Sequence, residues 1–220
     1  MEAIDNKRVV EAKRRKEKNL LVELQQLDIK TDNLEILFIA VKEAKILEVY
    51  VKRKTQKQFR WFKSYLFSIF SGELGPKKVE GDKQIPEGFY QITHLNPKSK
   101  YHLSLGLNYP NPYDLAHGFT GSAIFIHGGM ESVGCIAIGD DAIEEVFVLT
   151  DMAQHNGQKD ISVLIYPYAM HAEKHKEMLE TTDETTAHFW EKLAISYQYF
   201  QENKIPLAYE FKGNHIEYLT

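Results

Sequence analysis

The stretch FIHGGMESVGCIAIGD runs from Phe125 to Asp140 and holds Cys135, the only cysteine of the 220-residue chain. The residues just ahead, "SAIFIHG" (Ser122 to Gly128), have the apolar texture of a strand and deliver His127 at its end. A glycine-rich loop then returns the chain to Cys135, and helical spacing starts soon after, in "AIEEVFVLTDMAQHNG". Asp140 or Asp141 is the expected N-cap of that helix, and Gly157 its stop. Strand, tight loop, sulfur and helix in this order can bring imidazole and thiol within hydrogen-bond reach. Gly134 lets the backbone turn, so that N–H groups near Cys135 point into one cavity and could hold an oxyanion. A thiol has a reference pKa of about 8.5 and needs a base or a positive field to become a nucleophile. From spacing alone two readings stay open: a catalytic Cys–His pair, or a buried cysteine serving as a small hydrophobe.

Outward from this stretch the chain is rich in strands. "LEILFIAV" and "KILEVYVKR" flank the short polar turn "KEA", and "FRWFKSYLFSIF" alternates well enough for a third strand. "SGELGPKKVEGDKQIPEGFYQITHL" (Ser71 to Leu95) is dense in Gly and Pro until its end, so it reads as loop and then strand. "YHLSLGL" is expected as a strand carrying His102, Ser104 and Gly106 on one side, and "NYPNPYDLAHGFTG" as a loop. "ISVLIYPYAM" is a strongly apolar strand. Helical spacing covers residues 5–28, and again 172–203 with a turn near Thr181 to Asp183. "IPLAYEFKGNHIEYLT" ends the chain as a hairpin turned at "KGN". The aromatics of "FWEKLAISYQYF" recur at core-like spacing, which favours a packed helix over a lid.

The organisation expected is an N-terminal helical segment (1–33), a β-rich catalytic unit (34–170) and a C-terminal helical and hairpin extension (171–220). Hydrophobic residues make up 43% of the chain, enough for a real core, and charged residues 26%. A net charge of −4 argues against a nucleic-acid binder, which would carry a basic excess. No apolar run reaches the ~18 residues of a membrane span. One cysteine excludes an internal disulfide and a Cys-rich zinc site. "HAEKH" places His171 and His175 on one helix face but lacks the glutamate order of zinc proteases, and no phosphate loop is present, so neither a metal nor an organic cofactor is expected. The N-terminus "MEAIDNKRVVEAKRRKEKN" is charged and lacks the apolar core of a secretory signal; the compartment stays open, since a leader or anchor can be absent from the chain or removed.

Three pieces in order, "SGELGPKKVEGDKQIPEGFY", "YHLSLGLNYPN" and "TGSAIFIHGGMESVGCIAIGD", resemble the L,D-transpeptidase catalytic domain (YkuD) family, and within it the YafK-like branch. The resemblance spans about residues 34–168 and extends to the C-terminal helix. It implies an α+β fold with a mainly β, sandwich-like core flanked by N-terminal and C-terminal helices. It also implies a bacterial cell-wall enzyme that attacks the stem-peptide amide at the diamino acid through a cysteinyl thioester, which an amine or water then resolves. Carried over by position, Cys135 is the nucleophile and His127 its base. The Gly128 carbonyl orients the imidazole, and Ser132 and Gly134 shape the anion hole with the Cys135 N–H. His102, Glu80 and Asp82 match motif positions and are substrate-cleft candidates, although Gly-Asp and Pro-Glu-Gly are equally good turn formers.

Three departures from the family's common pattern stand out. Val133 replaces a second histidine before the Gly-Cys pair, Ala137 replaces an arginine two residues after the cysteine, and the His–Cys gap is short. They imply a site adapted to another acceptor or leaving group than ordinary cross-linking uses. The function expected is a peptidoglycan-modifying cysteine acyl-transferase or amidase, a transferase or a hydrolase, outside the cytoplasmic membrane. Its partners would be peptidoglycan stem peptides, with wall-linked protein a further candidate, and with no nucleic acid. Two other readings compete: a cell-wall binding module that lost turnover, and an intracellular thiol protein. The sequence leaves the oligomeric state open.

Overall fold

A computed structural model describes residues 6–219. Met1 to Asp5 and Thr220 lie outside the described residues, and with them the first residue of the helix expected over 5–28. Helix α1 (Lys7–Gln26) is capped by the Asn6 side chain, which accepts from the Arg8 N–H. A 3-10 turn (Thr31–Asn33) leads into strands β1 (Leu34–Val41), β2 (Ile46–Arg53) and β3 (Arg60–Leu66). After the Gly- and Pro-rich loop come β4 (Gly88–Asn96), β5 (Ser104–Leu107), the short helix α2 (Pro112–Ala116), β6 (Phe125–His127) and β7 (Ile136–Ala137). The chain continues through helix α3 (Asp140–His155), β8 (Ser162–Tyr166), helices α4 (Ala172–Thr181) and α5 (Glu184–Asn203), and the hairpin β9 (Tyr209–Lys212) and β10 (His215–Tyr218).

Eight strands form one sheet in the order β3-β2-β1-β8-β4-β5-β6-β7, and the hairpin β9–β10 stands apart. The fold class is therefore α+β with a large, mainly β core, as expected. Strand β1 explains the layering. Its run of apolar residues has no polar face, so both sides must be covered. Ile36, Phe38 and Ala40 pack into one cluster with α1 and α3, through Leu20, Leu24, Val146 and Phe147. Leu37, Ile39 and Val41 point the other way, against Phe189, Trp190, Leu193 and Tyr197 of α5. Full burial of one such side chain contributes about 1.5–3 kcal/mol.

Three local expectations need correction. The segment "NYPNPYDLAHGFTG" is not all loop: Asn111 caps α2, accepting from the Asp114 N–H at 2.9 Å, with Pro112 at the first helical position. The N-cap of α3 is Gly139 rather than an aspartate, because the Asp140 carboxylate turns back to accept from the Gly129 N–H at 2.7 Å. The strand in "YHLSLGL" starts only at Ser104; His102 sits before it with φ +67°, so it does not share a strand face with Ser104 and Gly106.

Candidate active site

Strand β6 ends at His127, and the chain re-enters the sheet as β7 directly after Cys135, parallel to β6. Parallel pairing of Ile126 with Ile136 and of His127 with Ala137 sets Cys135, one residue before β7, level with Phe125, two residues short of His127 along the neighbouring strand. The tight return depends on glycine. A side chain at Gly128 would meet Asp140 Oδ1 at 2.6 Å and the Tyr101 carbonyl at 2.8 Å. Gly134 has φ +108°, and a Cβ there would press on the Gln84 carbonyl at 2.8 Å. Asp140 and Ser68 clamp the loop, one accepting the Gly129 N–H and the other donating to the Gly129 carbonyl at 2.7 Å.

His127 is buried, and its ring stacks on Tyr101 with centroids 4.5 Å apart. Nδ1 bonds the Gly128 carbonyl at 2.5 Å, and a carbonyl can only accept, so Nδ1 carries the proton. Nε2 is then a bare lone pair, and it is buried without a hydrogen-bond partner. Burial pushes the imidazole below its ordinary pKa, with the Gly128 carbonyl acting weakly the other way. The thiol of Cys135 donates to the Ala123 carbonyl at 3.6 Å. Burial pushes it above the ordinary thiol value, opposed by the Phe125 backbone amide and by the Lys77 charge. Both partners therefore rest neutral, in one pocket of about 300 Å³ walled by the β4–β5 loop (Lys98 to Tyr101) and by Ala123 and Phe125.

The backbone amides near the thiol differ from the expected open anion hole. The Cys135 N–H donates to Ser132 Oγ at 3.0 Å, and Ser132 Oγ donates to the Cys135 carbonyl at 2.7 Å. The Gly134 N–H donates to Ser71 Oγ at 2.8 Å, and the two hydroxyls lie 3.2 Å apart. Buried amides demand partners, and these two serines reach them. Ser71 belongs to the loop before β4, far from Cys135 in the chain, and no local pattern pointed to it.

The upstream candidates are elsewhere. His102 Nε2 meets Glu144 of α3 at 2.7 Å, and its ring lines a depression beside α1 instead of the Cys135 pocket. Arg8 of α1 donates to the Ser99 and His102 carbonyls at 2.6 and 2.7 Å, which fixes the turn that carries Tyr101. Asp82 organises its own loop, accepting from the Lys77 ammonium at 2.6 Å and from the N–H groups of Lys78, Val79 and Gln84. Burial raises the Asp82 carboxyl pKa, but Lys77 and these amides outweigh it and hold the group below its ordinary value. Glu80 is exposed on the same loop. His171 opens α4 as its N-cap, and His175 bonds the Tyr168 hydroxyl at 2.9 Å. Among the described residues no group of three His, Cys, Asp or Glu side chains is placed to hold a metal ion.

Position 137, an arginine in the common pattern, is a fully buried alanine in β7, with its carbonyl bonded to the Ser68 N–H at 2.8 Å. The cations near the pocket come from other segments: Lys98 and Lys100 at its mouth, and Lys77 behind it.

Comparison with known proteins adds to this geometry. The model of the L,D-transpeptidase catalytic domain, YkuD, matches residues 35–163. The chain is 36% identical over 170 residues to YafK of Escherichia coli strain K12, and equally to YafK of strain O157:H7. Those alignments cover 75% of this chain and 66% of the relatives, so the chain spans slightly under two thirds of their length. The crystal structure of the helical cell shape determining protein Pgp2 from Campylobacter jejuni superposes with a TM-score of 0.50 at 22% identity, covering 87% of this chain and 80% of that one. This last likeness concerns the fold.

Proposed function

The chain belongs to the L,D-transpeptidase catalytic-domain (YkuD) family, and on that premise we propose that it is a cysteine acyl-transferase or amidase acting on peptidoglycan stem peptides at their diamino acid. The observation that carries the reading is the state of His127: Nδ1 is anchored on the Gly128 carbonyl, and Nε2 is unpartnered in the pocket that holds Cys135. A purely structural histidine at this burial would have both nitrogens bonded.

In the proposed reaction the Cys135 thiol leaves the Ala123 carbonyl and passes its proton to His127 Nε2. The thiolate adds to the amide carbonyl carbon, and the oxygen becomes an oxyanion. Ser71 and Ser132 would serve that charge by turning a hydroxyl or by releasing the amide each now holds. The imidazolium gives its proton to the leaving amine, the C–N bond breaks, and a thioester remains on Cys135. An amine or a water, deprotonated by the same nitrogen, then cleaves the thioester and restores the thiol. Lys98 and Lys100 would meet stem-peptide carboxylates in place of the missing arginine. A wall-linked protein attached through an amine fits the same chemistry as leaving group. The polymer substrate puts the site outside the cytoplasmic membrane; no helix of the described residues is long and apolar enough to cross one.

The test is intact-protein mass spectrometry after incubation with purified muropeptides, some carrying protein, for wild type and Cys135→Ala. A thioester adduct on wild type alone, with released amine, is the expected result. New amide-linked products then identify a transferase and free carboxylates a hydrolase. Indistinguishable product profiles from two folded proteins would overturn the reading in favour of a binding module.

A further inference from the structure

A buried lysine lies near Cys135, within the Ser71–Tyr90 stretch but given no role by the sequence reading. Lys77 is 3% exposed, in the loop before β4. Its ammonium donates to the Val79 carbonyl at 3.0 Å and to Asp82 at 2.6 Å, and it lies 5.8 Å from the centroid of the Tyr109 ring. The side chain runs beneath the segment that carries the thiol's acceptor. Lys77 Cε is 3.0 Å from where a Cβ on Gly121 would stand, and Ala123, two residues on, receives the Cys135 thiol. The Tyr109 hydroxyl ties the two layers by donating to the Lys77 and Thr120 carbonyls at 3.2 and 3.1 Å.

We propose that Lys77 is an electrostatic positioning residue for Cys135, a buried ammonium that favours the thiolate from beneath the 119–123 segment, where this chain lacks the arginine after its cysteine. The inference rests on Cys135 being the nucleophile. A cation that water cannot reach acts over longer distances than one at the surface. The Lys77 charge acts on the thiol in the direction that favours the thiolate, against the burial that opposes it. The other titratable or charged groups around it are His127 on β6, Lys98, Lys100 and Tyr101 at the mouth, Glu80 and Asp82 on the lysine's own loop, and Tyr109. Of these, Asp82 matters most to the argument. Its carboxylate neutralises part of the Lys77 field, and so sets how much of it reaches the sulfur.

This arrangement makes a signed prediction. The rate of iodoacetamide alkylation, read by intact mass against pH, reports the thiolate fraction, and with one cysteine in the chain the signal comes from Cys135 alone. Lys77→Met is expected to raise the midpoint by about one pH unit, which is about a tenfold slower reaction at fixed pH below it. Asp82→Asn leaves an acceptor oxygen for the loop but frees the lysine's charge, and is expected to lower the midpoint. Lys77→Arg should keep most of the wild-type behaviour. A role confined to holding the loop predicts instead that Lys77→Met and Asp82→Asn move the midpoint the same way, and that outcome, or no movement in either, overturns the proposal. If Lys77→Met does not fold, Asp82→Asn decides alone through its direction. Because no substrate is used, the result is separable from the muropeptide test: turnover surviving in Cys135→Ala would sink the proposed function and leave the alkylation shifts standing.

Discussion

Two buried polar clusters in this protein use similar chemistry to opposite ends. Near the junction of β1, β4 and α5, Lys42 and Glu87 are fully buried and completely partnered. Lys42 donates to the Gly75 and Ile85 carbonyls and to Glu87 at 2.7, 2.9 and 2.9 Å. Glu87 also accepts from the Gly75 N–H and from Trp190 of α5, both at 2.7 Å. Burial pushes the Lys42 ammonium's pKa down and Glu87 pulls it back. The Cys135–His127 pocket is the reverse: an imidazole nitrogen without a partner, and a thiol on a long 3.6 Å contact. A satisfied buried cluster holds structure, because nothing in it is free to react. An unsatisfied one costs stability and persists where the free group has work to do.

The comparison breaks first at His127. His127→Gln is expected to lower kcat by about a hundred- to ten-thousandfold, with a cost in the thermal midpoint limited to the Gly128 hydrogen bond and the Tyr101 stack, since Nε2 has no partner to lose. In wild type the acid limb of kcat/KM should fall below the ordinary imidazole pKa. Burial disfavours the imidazolium, the base works only when neutral, and activity is therefore kept to lower pH and lost as pH drops through the depressed value. A large loss of stability in His127→Gln, or an acid limb above the ordinary value, would erase the distinction between the clusters.

Next in size is Lys42→Met, which strands Glu87 without its ammonium. It is expected to cost about 3–5 kcal/mol in urea unfolding. Activity in the fraction that stays folded should change through the 71–87 loop alone, because Lys42 does not line the Cys135 pocket. Smaller still, Trp190→Phe removes one donor from Glu87 and should cost about 1–3 kcal/mol. Retained stability in that variant would mean that the link from α5 to the Glu87 carboxylate is incidental.

Much of the architecture was readable locally. The break between α4 and α5, the hairpin turned at Gly213, and the strand feeding His127 all rest on short-range patterns of apolar spacing, caps and turn residues. The α2 helix was missed because its Pro-Asn punctuation is also that of a loop. His102 was misplaced because an "HLS" pattern looks like alternation, whereas here the histidine takes a left-handed turn held by Arg8 and Glu144.

What the sequence determined by itself is the fold class, the family, and the placement of one histidine and one cysteine on either side of a glycine-rich return. These depend on residues near one another in the chain. The tertiary structure alone decided which tautomer the histidine holds, that Ser71 and Ser132 occupy the amides beside the thiol, and that Lys77 lies behind it. Hydrogen bonds and fields act through space, and the loop from Ser71 to Glu87 meets the Cys135 segment through the pairing of β4 with β5 and of β5 with β6. No local spacing rule records that approach.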